Sequence, residues 1–227
     1  MPKRVAIVTG AFGALGSGLA AAAKSAGYMV AGVDYAPQSD TASPLDLILA
    51  GVDLAREDQA AEAINTVATK LGRLDVLFNV AGGFSWRMVA DSEPDLWTGL
   101  HRLNLITALN TSRAALPHLL ATGAGRIINV GAGAALKADA GMGAYAASKA
   151  AVHRLTEALA AETKGKGVTV NAVLPSIIDT PTNRKDIPDA DFSQWVAPAE
   201  LAAVMLFLAS PEASAVTGAL VPVTGRV

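Results

Sequence analysis

The chain has 227 residues, 52% hydrophobic and 17% charged, a composition that fits one large α/β domain or two small ones and argues against disorder. Eighteen basic residues face 20 acidic ones, and a net charge of −2 without a basic block leaves no footprint for nucleic acid or an anionic membrane. The absence of cysteine excludes disulfides, thiolate metal sites and cysteine nucleophiles, and favours a reducing compartment.

Strand-like and helix-like segments alternate from end to end. Met1 to Gly10 is too short in its apolar part for a signal peptide. Arg4 to Thr9 is a β-branched run that ends at Gly10. Ala14 to Ala26 is alanine-rich and helical and stops at Gly27. Met29 to Asp34 is again a strand, residues 36–44 read as loop, and Leu47 to Val52 is a short third strand. Glu57 to Leu71 is a helix ended by Gly72, and Leu74 to Asn79 a strand. Glu93 to Ala121 reads as one helix, bent near Pro117. Gly125 to Val130, a helix from Ala144 to Thr163, and Val168 to Leu174 follow. Residues 181–196 form one long polar excursion, the signature of a functional loop. A helix over Pro198 to Ala209, with proline in its first turn, and a strand over Ala219 to Val223 close the chain. The strands are continuous apolar runs, as befits strands buried on both faces. Such alternation implies right-handed crossovers and a parallel sheet of about seven strands covered by helices on both sides. No apolar run reaches the roughly 20 residues of a membrane helix, and a cytoplasmic location is the expectation.

Three motifs carry chemistry. Thr9-Gly10-Ala11-Phe12-Gly13-Ala14-Leu15-Gly16 lies where the first strand meets the first helix. A glycine-rich turn there lets backbone N–H groups approach a pyrophosphate, and the helix N-terminus adds partial positive charge. Asp34 closes the second strand at the spacing of an acid that accepts from adenosine ribose hydroxyls. A carboxylate there repels a 2′-phosphate and no Arg or Lys follows closely, so NAD is expected over NADP. Tyr145 and Lys149 share a helix face one turn apart. A nearby ammonium favours phenolate, so the pair is expected to have a lowered tyrosine pKa and to move a proton on and off a substrate oxygen. His101, His118 and His153 show no metal spacing, and no metal is expected.

These residues resemble the short-chain dehydrogenases/reductases, over essentially the whole chain. The resemblance implies a single Rossmann-type, doubly wound α/β domain over 1–227, with the loop 181–196 covering substrate. Ala14 takes the middle glycine position of the family's Thr-Gly-x-x-x-Gly-x-Gly pattern. Asp53-Leu54 looks like its acid-apolar pair beside the adenine, and Asn79-Val80-Ala81-Gly82 like its Asn-Asn-Ala-Gly element. Asn104 matches the helix asparagine that supports a water-linked proton path, and Tyr145 and Lys149 match the catalytic pair. Pro175-Ser176-Ile177-Ile178-Asp179-Thr180 matches the segment that holds the nicotinamide carboxamide. The catalytic residues implied are Tyr145, Lys149 and Asn104. The cofactor residues implied are those of the glycine turn (Gly10, Phe12, Gly13, Ala14, Leu15, Gly16), Asp34, Asp53, Leu54, Asn79, Ala81, Gly82, the Tyr145/Lys149 pair, Pro175, Ile178 and Thr180. A small-molecule substrate and a homodimer or homotetramer packed through the two long helices are also implied.

One position departs. The family places a serine thirteen residues before the tyrosine, hydrogen-bonded to the reacting oxygen, and here that position is Ala132. Losing one oxyanion donor costs about 10²–10³ in rate. The dihydropteridine reductase branch also carries alanine there. The chain resembles that branch at Val80-Ala81-Gly82-Gly83-Phe84, at Gly131 to Leu136, and over the pattern Leu174 to Trp195. The expected function is NAD(H)-dependent hydride transfer to a small carbonyl or a quinonoid pterin-like substrate. The alternative is a catalytically impaired dinucleotide-binding sensor or interaction protein. Trp86 and Trp195 fit either stacking on a flat substrate or core packing, and Arg184 and Lys185 either an anion or solvent.

Overall fold

The computed structural model describes residues 3–37 and 45–226; most of the loop expected over 36–44 lies outside them. Seven strands form one sheet in the order β3-β2-β1-β4-β5-β6-β7, and every neighbouring pair is parallel. They are β1 (Val5–Thr9), β2 (Met29–Val33), β3 (Leu47–Leu49), β4 (Val76–Asn79), β5 (Gly125–Val130), β6 (Val168–Pro175) and β7 (Leu220–Val223). The helices are α1 (Ala14–Ser25), α2 (Glu57–Leu71), α3 (Pro94–His101), α4 (Thr107–Thr122), α5 (Gly143–Glu162), α6 (Pro181–Asp186) and α7 (Pro198–Ala209). The result is the helix-covered parallel sheet that the alternation implied, with the Rossmann-type order that the resemblance implied.

Alternation of side chains along buried strands builds two cores. Ala6 and Val8 of β1 face α1 and α7, with Leu19, Phe78, Leu201 and Met205. Val5 and Ile7 face the other side, with Ile64, Val67, Leu119 and Leu159. Each strand is apolar on both sides because both faces are covered by helices. Strand order reverses between β1 and β4, so a crevice opens over the carboxyl ends of the central strands.

Two segments depart from the sequence reading. The stretch expected as one helix bent near Pro117 is interrupted at Arg102–Ile106, a π-helical turn between α3 and α4, while α4 carries Pro117 without a break. A π turn inserts a residue and re-aims the side chains on it. Here Asn104 is turned inward, 1% exposed. The excursion 181–196 is also built: it holds α6 and a 3₁₀ turn at Phe192–Gln194.

A buried polar network ties the central strands to the helices beneath them. The Asn79 amide donates to Ser112 Oγ at 3.0 Å and to Asn129 Oδ1 at 2.9 Å, and its oxygen accepts from Thr111 Oγ1 at 2.7 Å. Asn129 passes the chain on to Thr156 Oγ1 at 2.9 Å. Every group in this chain is satisfied by another, so removing one member strands its partners in a dry interior. Asn79→Ala is expected to lower unfolding stability by about 2–3 kcal/mol, measured by urea denaturation, while NADH affinity of the folded variant stays within about twofold of the parent.

Candidate active site

The crevice over β1 and β4 is a cavity of about 830 Å³. Its floor is the glycine turn. Gly10 has φ +64°, a left-handed conformation that a side chain disfavours. A Cβ on Gly10 would also lie 2.9 Å from Ala81 Cα. A Cβ on Gly16 would run into the Gly10 carbonyl oxygen. Thr9 fastens this turn to the end of β4: its hydroxyl accepts the N–H groups of Val80 and Ala81 at 2.9 and 3.0 Å. Gly13 caps α1 with no side-chain hydrogen bond, and no acidic residue sits in the first turn. The first N–H groups of α1 therefore lack capping side chains at a cavity wall, an arrangement that accepts a pyrophosphate.

Beside the turn, the Asp34 carboxylate accepts the Phe12 N–H at 2.9 Å and the Ala36 N–H at 2.9 Å. These bonds fix the carboxylate at the cavity wall. Further along, Asp53 accepts the Ala55 N–H at 3.0 Å, and Arg102 Nη2 donates to Asp53 Oδ2 at 2.8 Å. At the opposite end stand Tyr145 and Lys149, on successive turns of α5, and Ile178 and Thr180 from the segment after β6.

Lys149 is 5% exposed, and its ammonium donates to the Val130 carbonyl at 2.8 Å. Burial lowers its pKa to about 8 and raises that of the Tyr145 phenol to about 12. The sequence reading had the ammonium lowering the phenol. Instead, loss of hydration outweighs it, and at neutral pH the pair stands as phenol and ammonium. Tyr145 is set by an edge-on contact with Phe84, ring centroids 4.9 Å apart. Its turn is anchored through Ser148, which donates to the Tyr145 carbonyl at 2.7 Å.

Most of the residues singled out by sequence line this one cavity: Gly10, Phe12, Gly13, Ala14, Leu15, Gly16, Asp34, Asp53, Leu54, Ala81, Gly82, Tyr145, Lys149, Ile178 and Thr180. Three do not. Asn79 is spent on the network described above. Pro175 ends β6, in register with Val223 of β7. Asn104 donates to Ser148 Oγ at 2.9 Å and to the Gly83 carbonyl at 3.1 Å, and accepts the Gly83 N–H at 2.9 Å. Both amide donors of Asn104 are thus committed, and its side chain joins the β4 turn to the Tyr145 turn. Ala132, 3% exposed, presents a methyl group where the family has a hydroxyl, and its N–H donates to His153 Nε2 at 3.4 Å. Arg102, which sequence reasoning passed over, lines the cavity. Its signal was a lone arginine two residues before Asn104. Trp195 is core, 4% exposed, and Trp86 is 56% exposed. Among the described residues, no cluster of histidine and acidic residues could hold a metal.

The model of the family described as short chain dehydrogenase matches residues 4–191. The chain belongs to the short-chain dehydrogenases. An acetoacetyl-CoA reductase of Shinella zoogloeoides is 33% identical over 236 residues, covering 98% of each chain. A meso-2,3-butanediol dehydrogenase of Serratia marcescens is 34% identical over 237 residues, covering 98% of this chain and 94% of the relative. Among solved structures, a carveol dehydrogenase from Mycobacterium avium in complex with NAD superposes with a TM-score of 0.87 at 26% identity, over 98% of this chain and 96% of that one. The aldohexose dehydrogenase of Thermoplasma acidophilum gives 0.89 at 26% identity, over 99% and 93%. This short-chain dehydrogenase is therefore an oxidoreductase by family, and the uncapped N–H groups of α1 and the Asp34 carboxylate at its cavity have the chemistry to meet a dinucleotide. No helix among the described residues is long and apolar enough to cross a membrane.

Keeping an ammonium out of water costs the fold. With the folded pKa lowered from 10.5 to about 8, the folded state holds fewer protons than the unfolded one between those values, so stability rises with pH there. Lys149→Met, which removes the buried charge and one hydrogen bond, is expected to stabilise the unliganded protein by about 2 kcal/mol at pH 7. Urea unfolding at pH 7 and pH 10 checks both the sign and the shrinking of that gain at the higher pH.

Proposed function

We propose that this short-chain dehydrogenase is an NADH-dependent reductase of a small, electron-poor conjugated substrate of the quinonoid dihydropterin type. The observation that carries this reading is Ala132: thirteen residues before Tyr145 the hydroxyl that would polarise a ketone is replaced by a methyl, and the Ala132 N–H is taken up by His153. A substrate that is already electron-poor has less need of that polarisation. Carbonyl reduction is the second reading, and the printed activities of the acetoacetyl-CoA and butanediol relatives favour it.

The glycine turn and α1 would hold the pyrophosphate, Asp34 the adenosine ribose, and Lys149 with Ile178 and Thr180 the nicotinamide half. Bound there, the dinucleotide supplies the hydride. Tyr145, a phenol at neutral pH, is the acid that delivers a proton to the substrate's oxygen or ring nitrogen. The Lys149 ammonium steadies the negative charge left on the phenol oxygen and donates to the nicotinamide ribose. Asn104 holds the Tyr145 turn through Ser148. The free acceptor site on its amide oxygen is the point at which a water could enter a proton relay. The segment 181–196 covers the substrate, with Phe84 and Trp86 as the apolar wall. A second copy would pack on α3 and α5, where Trp97, Ile106, Ala144 and Ala147 border a surface hollow. The impaired-sensor reading is weaker, because the acid, the cation and the asparagine that anchors them are all retained.

NADH is expected to bind at least tenfold more tightly than NADPH, since a 2′-phosphate would have to sit against the Asp34 carboxylate. Fluorescence titration with both cofactors measures this, and Asp34→Ala narrows the gap. Ala132→Ser is expected to leave turnover of quinonoid dihydropterin nearly unchanged while raising ketone reduction by up to about 10²-fold. Brisk ketone reduction by the unaltered protein, with no pterin activity in steady-state assays, decides for the carbonyl reading.

A further inference from the structure

We infer that Arg102 is a cofactor-holding residue that closes over the adenine end of the dinucleotide. This rests on the dinucleotide reading above and adds a residue to it. The charged residues that line the cavity are Asp34, Asp53, Arg102 and Lys149. Lys149 belongs to the catalytic end with Tyr145. With the pyrophosphate on α1 and the ribose on Asp34, the base must extend away from Tyr145, toward Asp53, Leu54 and Arg102. Arg102 is therefore the one cation among the described residues lining that end.

Its geometry suits a planar base. Arg102 Nη2 donates to Asp53 Oδ2 at 2.8 Å, across the cavity wall from the loop after β3 to the π turn. Asp53 Oδ1 already accepts the Ala55 N–H, which fixes the carboxylate in turn. The pair joins two segments 49 residues apart in the chain. A carboxylate has about four lone-pair sites, so Asp53 retains capacity for the exocyclic amino group of adenine. A guanidinium stacks its flat face on aromatic rings, which an ammonium does not do. Arg102 is held at both ends: by Asp53 at its tip, and at its backbone by the π turn whose Asn104 is locked to Gly83 and Ser148. Its side chain is 58% exposed, so the ion pair by itself contributes little to stability and its function lies in what it covers.

The test uses the full-length protein, with NADH and ADP-ribose titrated by calorimetry and NADH dissociation followed by stopped-flow. ADP-ribose carries the adenine end and lacks the nicotinamide. Arg102→Ala is expected to weaken both ligands by the same factor, about tenfold, through faster dissociation, while the unliganded melting temperature stays within about 2 °C. Arg102→Lys, which keeps the charge and loses the flat face, is expected to remain weakened at least about threefold. Unchanged affinity in Arg102→Ala, tighter binding, or full rescue by lysine overturns the inference. Loss of NADH affinity with ADP-ribose unaffected also overturns it, because it would place Arg102 at the wrong end. An unaltered protein that binds neither ligand overturns the dinucleotide reading itself, which is a separate result from a silent Arg102→Ala.

Discussion

A buried ammonium sets the terms for the rest of the site. Lys149 donates to the carbonyl that ends β5, and this requires α5 to cross closely over the carboxyl end of that strand. The residues around it are small because nothing larger fits. A Cβ on Gly82 would lie 3.3 Å from the Lys149 nitrogen and 2.6 Å from Asn104 Oδ1. A Cβ on Gly131 would lie 2.5 Å from His153 Nε2. Tyr145, Lys149 and His153 occupy successive turns on one side of α5, and all three meet the strand end at 130–132 or the cavity above it. Burial, which is costly for each group alone, fixes their protonation states: phenol, ammonium and a histidine held below its usual range by desolvation and by Arg154 and Lys149.

The segment from Leu174 to Trp195, where the chain resembles the pterin-reducing branch over a long pattern, is explained by architecture first. Asp179 takes a two-pronged ion pair from Arg184 at 2.6 and 2.8 Å. Thr180 caps α6 by accepting the Asn183 N–H, and the Asn183 amide reaches back to the Ile178 carbonyl at 2.7 Å. Arg184 lies over the Phe192 ring, Phe192 packs on Trp195, and Asp191 accepts from Ser193. Asp179, Thr180, Asn183, Arg184, Asp191, Phe192, Ser193 and Trp195 of the pattern are therefore used to fold the excursion onto itself, and Val196 ties it down through its N–H and carbonyl to Ile177 and Asp179. A shared pattern here transmits a preformed, self-bonded segment after β6, of which Thr182 reaches the cavity. It says less about what the cavity holds, and the weight of the substrate assignment passes to Ala132.

Period and punctuation made the sheet legible. Continuous β-branched runs closed by glycine can hardly be anything but strands buried on both faces, and the glycine turn could be located because only glycine survives the approach of Gly16 to the Gly10 carbonyl. Other features lie outside any local pattern. The π turn at Arg102–Ile106 exists because Asn104 has partners at Gly83 and Ser148, far off in sequence. Arg102 became part of the cavity only through a contact with Asp53. Asn79 misled in the same way: its motif sits at the cavity's edge, but its side chain points below the sheet into hydroxyl and amide partners. The phenol's pKa was misread because i, i+4 spacing reports neighbours and is blind to the loss of water around both.

Burial of Tyr145 also governs its proton transfer. A phenol at about 12 is a proton donor at pH 7, and converting it to phenolate there requires roughly 7 kcal/mol. Reduction uses the phenol as it stands. Oxidation of an alcohol must first remove that proton, and the cation at hand is the Lys149 ammonium, which burial makes easier to deprotonate. The missing hydroxyl at Ala132 acts alike in both directions, since a donor to the reacting oxygen serves reduction and oxidation through the same transition state. Burial thus leaves the phenol protonated at pH 7, the form a reductive step would draw on, and the phenolate left after that step costs as much as it would in oxidation. An acceptor that takes hydride readily loses least by the missing donor at Ala132.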